Sequence, residues 1–123
     1  MKKIKVFFLD RDGVLIKDTG YIKKINDPYI VYSAHQYEPM AYTHNTKFGV
    51  KYPDNFRWYG TKINLDKKYL EQIYNKASTV GKNHNKPITI DEFGVYRYKT
   101  GADKFINDSI NIMEKLGMNH AIW

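Results

Sequence analysis

The segment KPITIDEFGVYR, residues 86–97, decides how the rest of the chain is interpreted. Pro87 stands near its start, and the β-branched residues that follow are typical of a buried strand. Two adjacent carboxylates, Asp91 and Glu92, then come where that strand leaves the core. Position alone favours carboxylates that merely mark the end of the strand. The alternative is that Glu92 lies at the active-site edge of a sheet and is catalytic.

Apolar runs and amphipathic stretches alternate along the chain on either side of this segment. Continuous apolar runs predict buried strands, and apolar residues at helical spacing predict two helices. Gly81 and Gly117 follow those helices as stop signals, and Thr100 with Asp103 resembles a capping box. The sequence therefore predicts an α/β fold with parallel strands at residues 4–9, 29–34, 87–92 and 119–123 and helices at residues 66–81 and 101–117.

The carboxyl ends of parallel strands form the edge at which α/β proteins carry their active sites. Polar and aromatic side chains follow the predicted strands at that edge: Asp10, Asp12, His35, Tyr37, Glu38, Asp91, Glu92 and Trp123. Because side chains alternate along a strand, we expect Asp91 to face away from Glu92 and to be structural.

Residues 36–64 form a long connection with little periodicity and many aromatic side chains. Such a length in a compact domain is usually functional or disordered, and the aromatic content argues against disorder. Two interpretations carry similar weight. The flat aromatic faces line a carbohydrate cleft, or the connection packs on itself as a small satellite core.

Composition limits the classes of function. The chain has 123 residues, enough for one domain, and no cysteine, which excludes disulfides and thiolate sites. Its net charge of +7 comes mostly from scattered lysines, so we expect no nucleic-acid partner. The apolar run at residues 6–9 is too short for a signal peptide, and no stretch is long enough to span a membrane. We therefore expect a cytoplasmic chain without a membrane partner.

From about residue 27 onward the chain resembles the last third of a family 5 glycoside hydrolase, the cellulase-type (β/α)8 barrel. The resemblance rests on VYSAHQYEPMAYTH (residues 31–44), PITIDEFGVYR (residues 87–97) and the terminal HAIW. Their spacing matches strands six, seven and eight of that barrel. The resemblance implies a partial barrel over residues 27–123 that hydrolyses O-glycosyl bonds of a β-linked polysaccharide or oligosaccharide without a cofactor.

The same resemblance implies roles for individual residues. Glu92 matches the nucleophile of a retaining double displacement. His35 and Tyr37 match the residues that line the subsite of the reacting sugar, with Tyr37 orienting the nucleophile. The remaining residues expected to contact substrate are His44, Trp58 and, as a stacking platform, Trp123.

The chain departs from the family pattern at the second carboxylate. The family's acid/base glutamate follows an asparagine at the end of strand four, and no Asn-Glu-Pro occurs in this sequence. Glu38 and Asp10 lie on the predicted edge, and neither is favoured for the role. A truncated, inactive enzyme and a non-catalytic carbohydrate-binding fragment therefore stay open as alternatives.

The segment VFFLDRDGVLIKDTGYIKKI, residues 6–25, resembles the start of a haloacid dehalogenase-type sugar-phosphate phosphatase. That resemblance implies Asp10 as nucleophile and Asp12 as general acid/base, both binding Mg²⁺. An Mg²⁺-dependent phosphatase is thus the alternative function. The sequence predicts two parts, a phosphatase-like strand and loop at residues 1–26 and the glycoside hydrolase-like domain at residues 27–123. Because a partial barrel exposes strand edges, we also expect a homo-oligomer that covers them.

Overall fold

The computed structural model describes residues 26–47 and 49–123. The predicted strand at residues 4–9 and the predicted Mg²⁺ ligands Asp10 and Asp12 lie outside the described residues and stay predictions. In chain order the elements are β1 (Tyr32–Gln36), α1 (Met40–Thr43), β2 (Asp54–Trp58), β3 (Thr61–Leu65), α2 (Lys67–His84), β4 (Ile88–Phe93), α3 (Ala102–Lys115) and β5 (Asn119–Ile122).

The described strands form two sheets. Strands β1, β4 and β5 make a three-stranded sheet in the order β1-β4-β5, and both pairings are parallel. Helix α2 precedes β4 and helix α3 connects β4 to β5, as parallel neighbours require a crossover. This confirms the predicted α/β fold with a parallel sheet. The described residues do not close a barrel.

Strand β1 begins later than predicted. Residues 28 and 29 form a turn, in which the Tyr29 N–H donates to Asp27 Oδ1 at 2.9 Å. Pairing with the segment before β4 begins at Tyr32, whose N–H donates to the Pro87 carbonyl at 3.0 Å. The prediction of a strand at residues 29–34 is therefore wrong in its bounds, because the apolar run extends beyond the part that finds a partner. His35 lies inside the strand instead of after it.

Helix α2 continues through Gly81, so the prediction that Gly81 ends it is wrong. A Cβ at Gly81 would stand 2.5 Å from Ile88 Cγ1 and 2.8 Å from the Lys86 carbonyl oxygen. The glycine is thus explained by the close packing of the helix against the start of β4. The helix ends at His84, and Asn85 takes the left-handed conformation with φ 51°.

The capping box predicted for helix α3 is also wrong. The N-cap residue is Gly101 with φ 80°, and no side chain caps the helix. A Cβ at Gly101 would overlap the carbonyl oxygen of Tyr52, and the Tyr52 N–H donates to the Thr100 carbonyl at 2.9 Å. Contact with a distant part of the chain therefore sets the start of this helix. Gly117, with φ 69°, follows its end as predicted.

The long connection after β1 is structured. It contains helix α1 and the antiparallel β2–β3 hairpin, so the prediction of an irregular segment at residues 36–64 is wrong. Two of its aromatic side chains, Tyr42 and Tyr52, are buried in the main core together with Phe93 and Phe105. The connection thus contributes to the core of the domain instead of forming a satellite. Within the described part of the chain, no helix has both the length and the apolar character needed to span a membrane.

Candidate functional site

The carboxyl ends of β1 and β4 bring Glu92 together with Tyr37 and His35. The Tyr37 hydroxyl donates a hydrogen bond to Glu92 Oε2 at 3.3 Å. His35 Nδ1 lies 3.3 Å from the same oxygen. The Glu92 side chain is 33% exposed, so the carboxylate is held by two neighbours and still reachable from solvent. Sequence reasoning predicted all three residues at this edge.

A β-bulge adds Asp91 to this group. Ala34 pairs with Ile90, whereas the next residue, His35, pairs with Glu92, so Asp91 is the extra residue of β4. Asp91 Oδ1 lies 3.4 Å from His35 Nε2. The expectation that Asp91 is directed away from the Glu92 site is therefore wrong, because the bulge breaks the alternation on which it rested. Both carboxylates contact the same imidazole ring.

The Tyr37 hydroxyl is a hydrogen-bond donor whose pKa is raised by its surroundings. Burial raises the pKa of Tyr37 to about 12, and the negative charge of Glu92 and the hydrogen bond to it act in the same direction. A phenol at its ordinary pKa of about 10 is already protonated at neutral pH, and the raised pKa extends this to more alkaline pH. A hydroxyl that donates to the carboxylate stabilises its negative charge and helps to fix its orientation, as a nucleophile requires.

His44 lies beside Tyr37, and its predicted contact with substrate stays a prediction. The two rings meet edge to face with centroids 4.7 Å apart, and the Tyr96 ring lies 5.8 Å from His44. His44 Nδ1 also lies 2.9 Å from the Thr43 hydroxyl. Tyr96 in turn stacks on Tyr98 with an interplanar angle of 13°. Sequence reasoning missed this exposed tyrosine pair, although two tyrosines directly after EFG at a strand end were a visible signal.

The two tryptophans lie in different parts of the fold. The Trp123 N–H donates to the Phe93 carbonyl at 3.0 Å, which places the end of β5 directly beside Glu92's strand. Gly94 permits this approach, since a Cβ there would stand 2.7 Å from the Trp123 carbonyl oxygen. The Trp123 side chain is 85% exposed. Trp58, in contrast, lies on the β2–β3 hairpin with its ring against Tyr59, and not on the sheet that carries Glu92.

Glu38 follows Tyr37 in the sequence but interacts with Tyr69 of α2. Burial raises the pKa of Glu38, and a hydrogen bond from the Met40 backbone partly opposes the rise. Burial and the negative charge of Glu38 raise the pKa of Tyr69 on α2 to about 12. Glu38 therefore lies near α2 while Tyr37 contacts Glu92. Within residues 26–47 and 49–123, no group of three or more His, Asp or Glu side chains forms a metal site.

Comparison with known families gives one match over most of the chain. The model of cellulase, glycosyl hydrolase family 5, matches residues 13–123. The match begins inside the segment that resembles a phosphatase, and the phosphatase resemblance itself stays a prediction. A search of curated protein sequences finds no match.

Several solved structures resemble the described fold. An endoglucanase is 27% identical, with a TM-score of 0.64 over 82% of this chain and 33% of its own. A hyperthermophilic endo-β-1,4-glucanase in complex with substrate is also 27% identical, with a TM-score of 0.66 and the same coverages of 82% and 33%. Thermotoga maritima Cel5A in complex with mannotriose shares the fold at 23% identity, with a TM-score of 0.67 over 90% of this chain and 36% of its own. The chain thus spans about a third of the length of these proteins.

Proposed function

The chain belongs to glycosyl hydrolase family 5, and from that premise we propose that Glu92 is the nucleophile of a retaining hydrolase that acts on O-glycosyl bonds of a β-linked glucan. One observation carries the proposal. A partly exposed carboxylate at the carboxyl edge of a parallel sheet is held through one oxygen by Tyr37 and His35. That arrangement suits a group that must stay ionised, oriented and accessible.

The proposed reaction is a double displacement. The Glu92 carboxylate attacks the anomeric carbon, a glycosyl ester forms, and the bond to the leaving oxygen breaks. A protonated acid donates its proton to that leaving oxygen. Water then attacks the anomeric carbon, releases the sugar and restores the Glu92 carboxylate, while its proton returns to the acid. Tyr37 holds Glu92 through its hydrogen bond during both steps.

Support for a β-glucan substrate comes from two directions. Two solved structures that are 27% identical to this chain are an endoglucanase and an endo-β-1,4-glucanase. Exposed aromatic faces also surround the site: Trp123 at the end of β5 and Tyr96 beside His44. Flat apolar rings with polar edges pack well on the C–H faces of pyranose units.

Within residues 26–47 and 49–123, no carboxylate is assigned to the acid/base role, and the candidate Asp10 lies outside these residues. Retaining hydrolases need a second carboxyl group about 5–5.5 Å from the nucleophile. Asp91 is engaged with Ser33 and His35, and Glu38 lies near Tyr69 of α2. We therefore propose that the described site attacks a substrate with a good leaving group, which needs no proton, far better than an ordinary glucan.

The experiment is covalent trapping. The chain is incubated with a 2-deoxy-2-fluoro-β-cellobioside that carries a dinitrophenolate leaving group, and intact mass and peptide mapping follow. We expect one fluoroglycosyl adduct on Glu92, because the activated leaving group departs without protonation and the fluorine slows hydrolysis of the ester. The Glu92→Gln variant should show no adduct.

The matched control is Glu114→Gln, the same chemical change on α3 at a side chain that is 66% exposed. This variant should be labelled like the wild type. Circular dichroism establishes that every variant is folded. An unlabelled wild-type chain that is folded, or equal labelling of Glu92→Gln, would refute the nucleophile and leave the carbohydrate-binding fragment and the phosphatase as the remaining interpretations.

A further inference from the structure

We propose that Asp91 is a positioning residue for Glu92, and that it acts through the imidazole of His35. The inference rests on the proposed function, since it assigns a role in holding the nucleophile. It also answers why two acids stand side by side at the end of β4. Glu92 attacks the substrate, and Asp91 positions His35, which in turn contacts Glu92.

The geometry carries the first step. The ring of His35 lies between the two carboxylates, with Nδ1 at 3.3 Å from Glu92 Oε2 and Nε2 at 3.4 Å from Asp91 Oδ1. Adjacent residues of a regular strand face opposite sides and would not both reach one ring. The bulge between β1 and β4 removes that restriction, because Asp91 has no register partner opposite it.

Asp91 is itself held in place. The Ser33 hydroxyl donates a hydrogen bond to Asp91 Oδ1, across the β1–β4 pair. Ser33 is 8% exposed and the Asp91 side chain is 27% exposed, so the contact between them is largely shielded from solvent. The contacts run in one connected series from Ser33 to Asp91, His35 and Glu92, and Glu92 also accepts a hydrogen bond from the Tyr37 hydroxyl.

Chemistry supplies the second step. A neutral imidazole has one N–H and one nitrogen lone pair, so a neutral ring would turn a lone pair toward one of the two carboxylates. A ring with protons on both nitrogens donates to both, and such charge-assisted bonds are the stronger ones. In either protonation state the ring can donate to at least one of the two carboxylates, so Asp91 helps to fix the orientation in which His35 faces Glu92.

The first readout is the imidazole of His35 in protein labelled with ¹⁵N-histidine. Two-bond ¹H–¹⁵N spectra show which ring nitrogens carry a proton, and His35→Gln identifies the signal. In the wild type we expect one fixed pattern of ring nitrogen signals, because carboxylates on both sides hold the ring in one orientation. Asp91→Ala should lose this pattern, whereas Asp103→Asn, an exposed acid on α3, should keep it.

The second readout is the rate of trapping of Glu92 by the activated fluorocellobioside. Asp91→Ala should slow trapping at least about tenfold, the scale of one charge-assisted hydrogen bond. Asp91→Asn keeps an oxygen acceptor without its charge, so its rate should lie between those of Asp91→Ala and the wild type. It also serves as the test variant if the alanine variant does not fold.

The outcomes separate the two proposals. An untrapped, folded wild-type chain refutes the nucleophile, whatever the histidine spectrum shows. A trapped wild type with an unchanged His35 spectrum or an unchanged trapping rate in folded Asp91 variants refutes the role of Asp91 alone. If Asp91 is purely structural, its variants will have a lower unfolding temperature but unchanged ring signals from His35.

Discussion

At the scale of single residues, the oxygen Oε2 of Glu92 is where the contacts converge. Tyr37 donates to it and His35 Nδ1 lies against it, and the raised pKa of Tyr37 keeps that donor protonated. The resemblance of HQYEP and DEFG to family 5 motifs anticipated these three residues from sequence. It did not anticipate the contact between Asp91 and His35, because adjacent side chains on a regular strand point to opposite faces.

We predict that Tyr37→Phe slows trapping of Glu92 by the activated fluorocellobioside roughly tenfold to a hundredfold, the usual cost of removing one donor to a reacting oxygen. The phenyl ring preserves the edge-to-face contact with His44, so folding should be little affected. The rate is measured from intact-mass time courses. Tyr59→Phe, which removes a hydroxyl from a side chain that is 92% exposed on the hairpin, is the matched control. Equal rates in Tyr37→Phe and the wild type would contradict the orienting role.

At the scale of elements, a buried polar contact ties helix α3 to the segment before β2. The Tyr52 hydroxyl donates to Asp108 Oδ2 at 2.8 Å, and Lys104 Nζ lies 2.7 Å from the same oxygen. The Asp108 side chain is only 8% exposed. Burial alone would raise the pKa of Asp108, but the hydrogen bonds from Lys104 and Tyr52 and the charge of Lys104 outweigh it and lower the pKa.

This lowered pKa predicts a pH dependence of stability. A carboxylate that is harder to protonate in the folded state stabilises the fold above its unfolded pKa of about 4, and that stabilisation is lost as the pH falls through the lower folded pKa. We expect Asp108→Asn to lower the free energy of unfolding at neutral pH by ~1–3 kcal/mol. The variant should also lose less stability than the wild type upon acidification.

Urea denaturation at neutral pH and at several values below about pH 5 measures both effects. Asp103→Asn changes an exposed carboxylate in the first turn of the same helix and should follow the wild type. If Asp108→Asn loses as much stability in acid as the wild type does, Asp108 contributes nothing to the acid sensitivity of the fold.

At the scale of the whole molecule, the three-stranded sheet has two outer strands. Within the described residues, β1 and β5 each pair with β4 on one side. At the end of β5 the Ile122 and Trp123 side chains are 60% and 85% exposed. Unpaired strand edges with exposed apolar side chains favour pairing with another chain.

We therefore predict that the chain self-associates, with a mass above 14.5 kDa that rises with concentration in light scattering coupled to size-exclusion chromatography. Ile122→Lys places a charge at the β5 edge and should weaken association at least about tenfold, or ~1.4 kcal/mol. Tyr59→Lys makes a comparable change on the separate hairpin and should leave association unchanged. A monomeric wild type throughout the concentration range would contradict the prediction.

The sequence by itself determined the features of this protein that depend on local patterns of residues. Apolar runs and helical periodicity specified alternating strands and helices and hence a parallel sheet, and the motif around Glu92 specified the family and the edge where the site lies. These features depend on residues that are close together in the chain.

Only the tertiary structure decided the features that depend on distant partners. The start of β1 is set by pairing with the segment before β4, and Gly81 lies inside α2 because Ile88 packs against it. Trp58 lies on a hairpin away from the Glu92 sheet. Asp91 reaches His35 because one bulge shifts the register between two strands more than fifty residues apart in sequence. The physical reason is that register and close packing are pairwise properties of the folded chain, which no single segment contains.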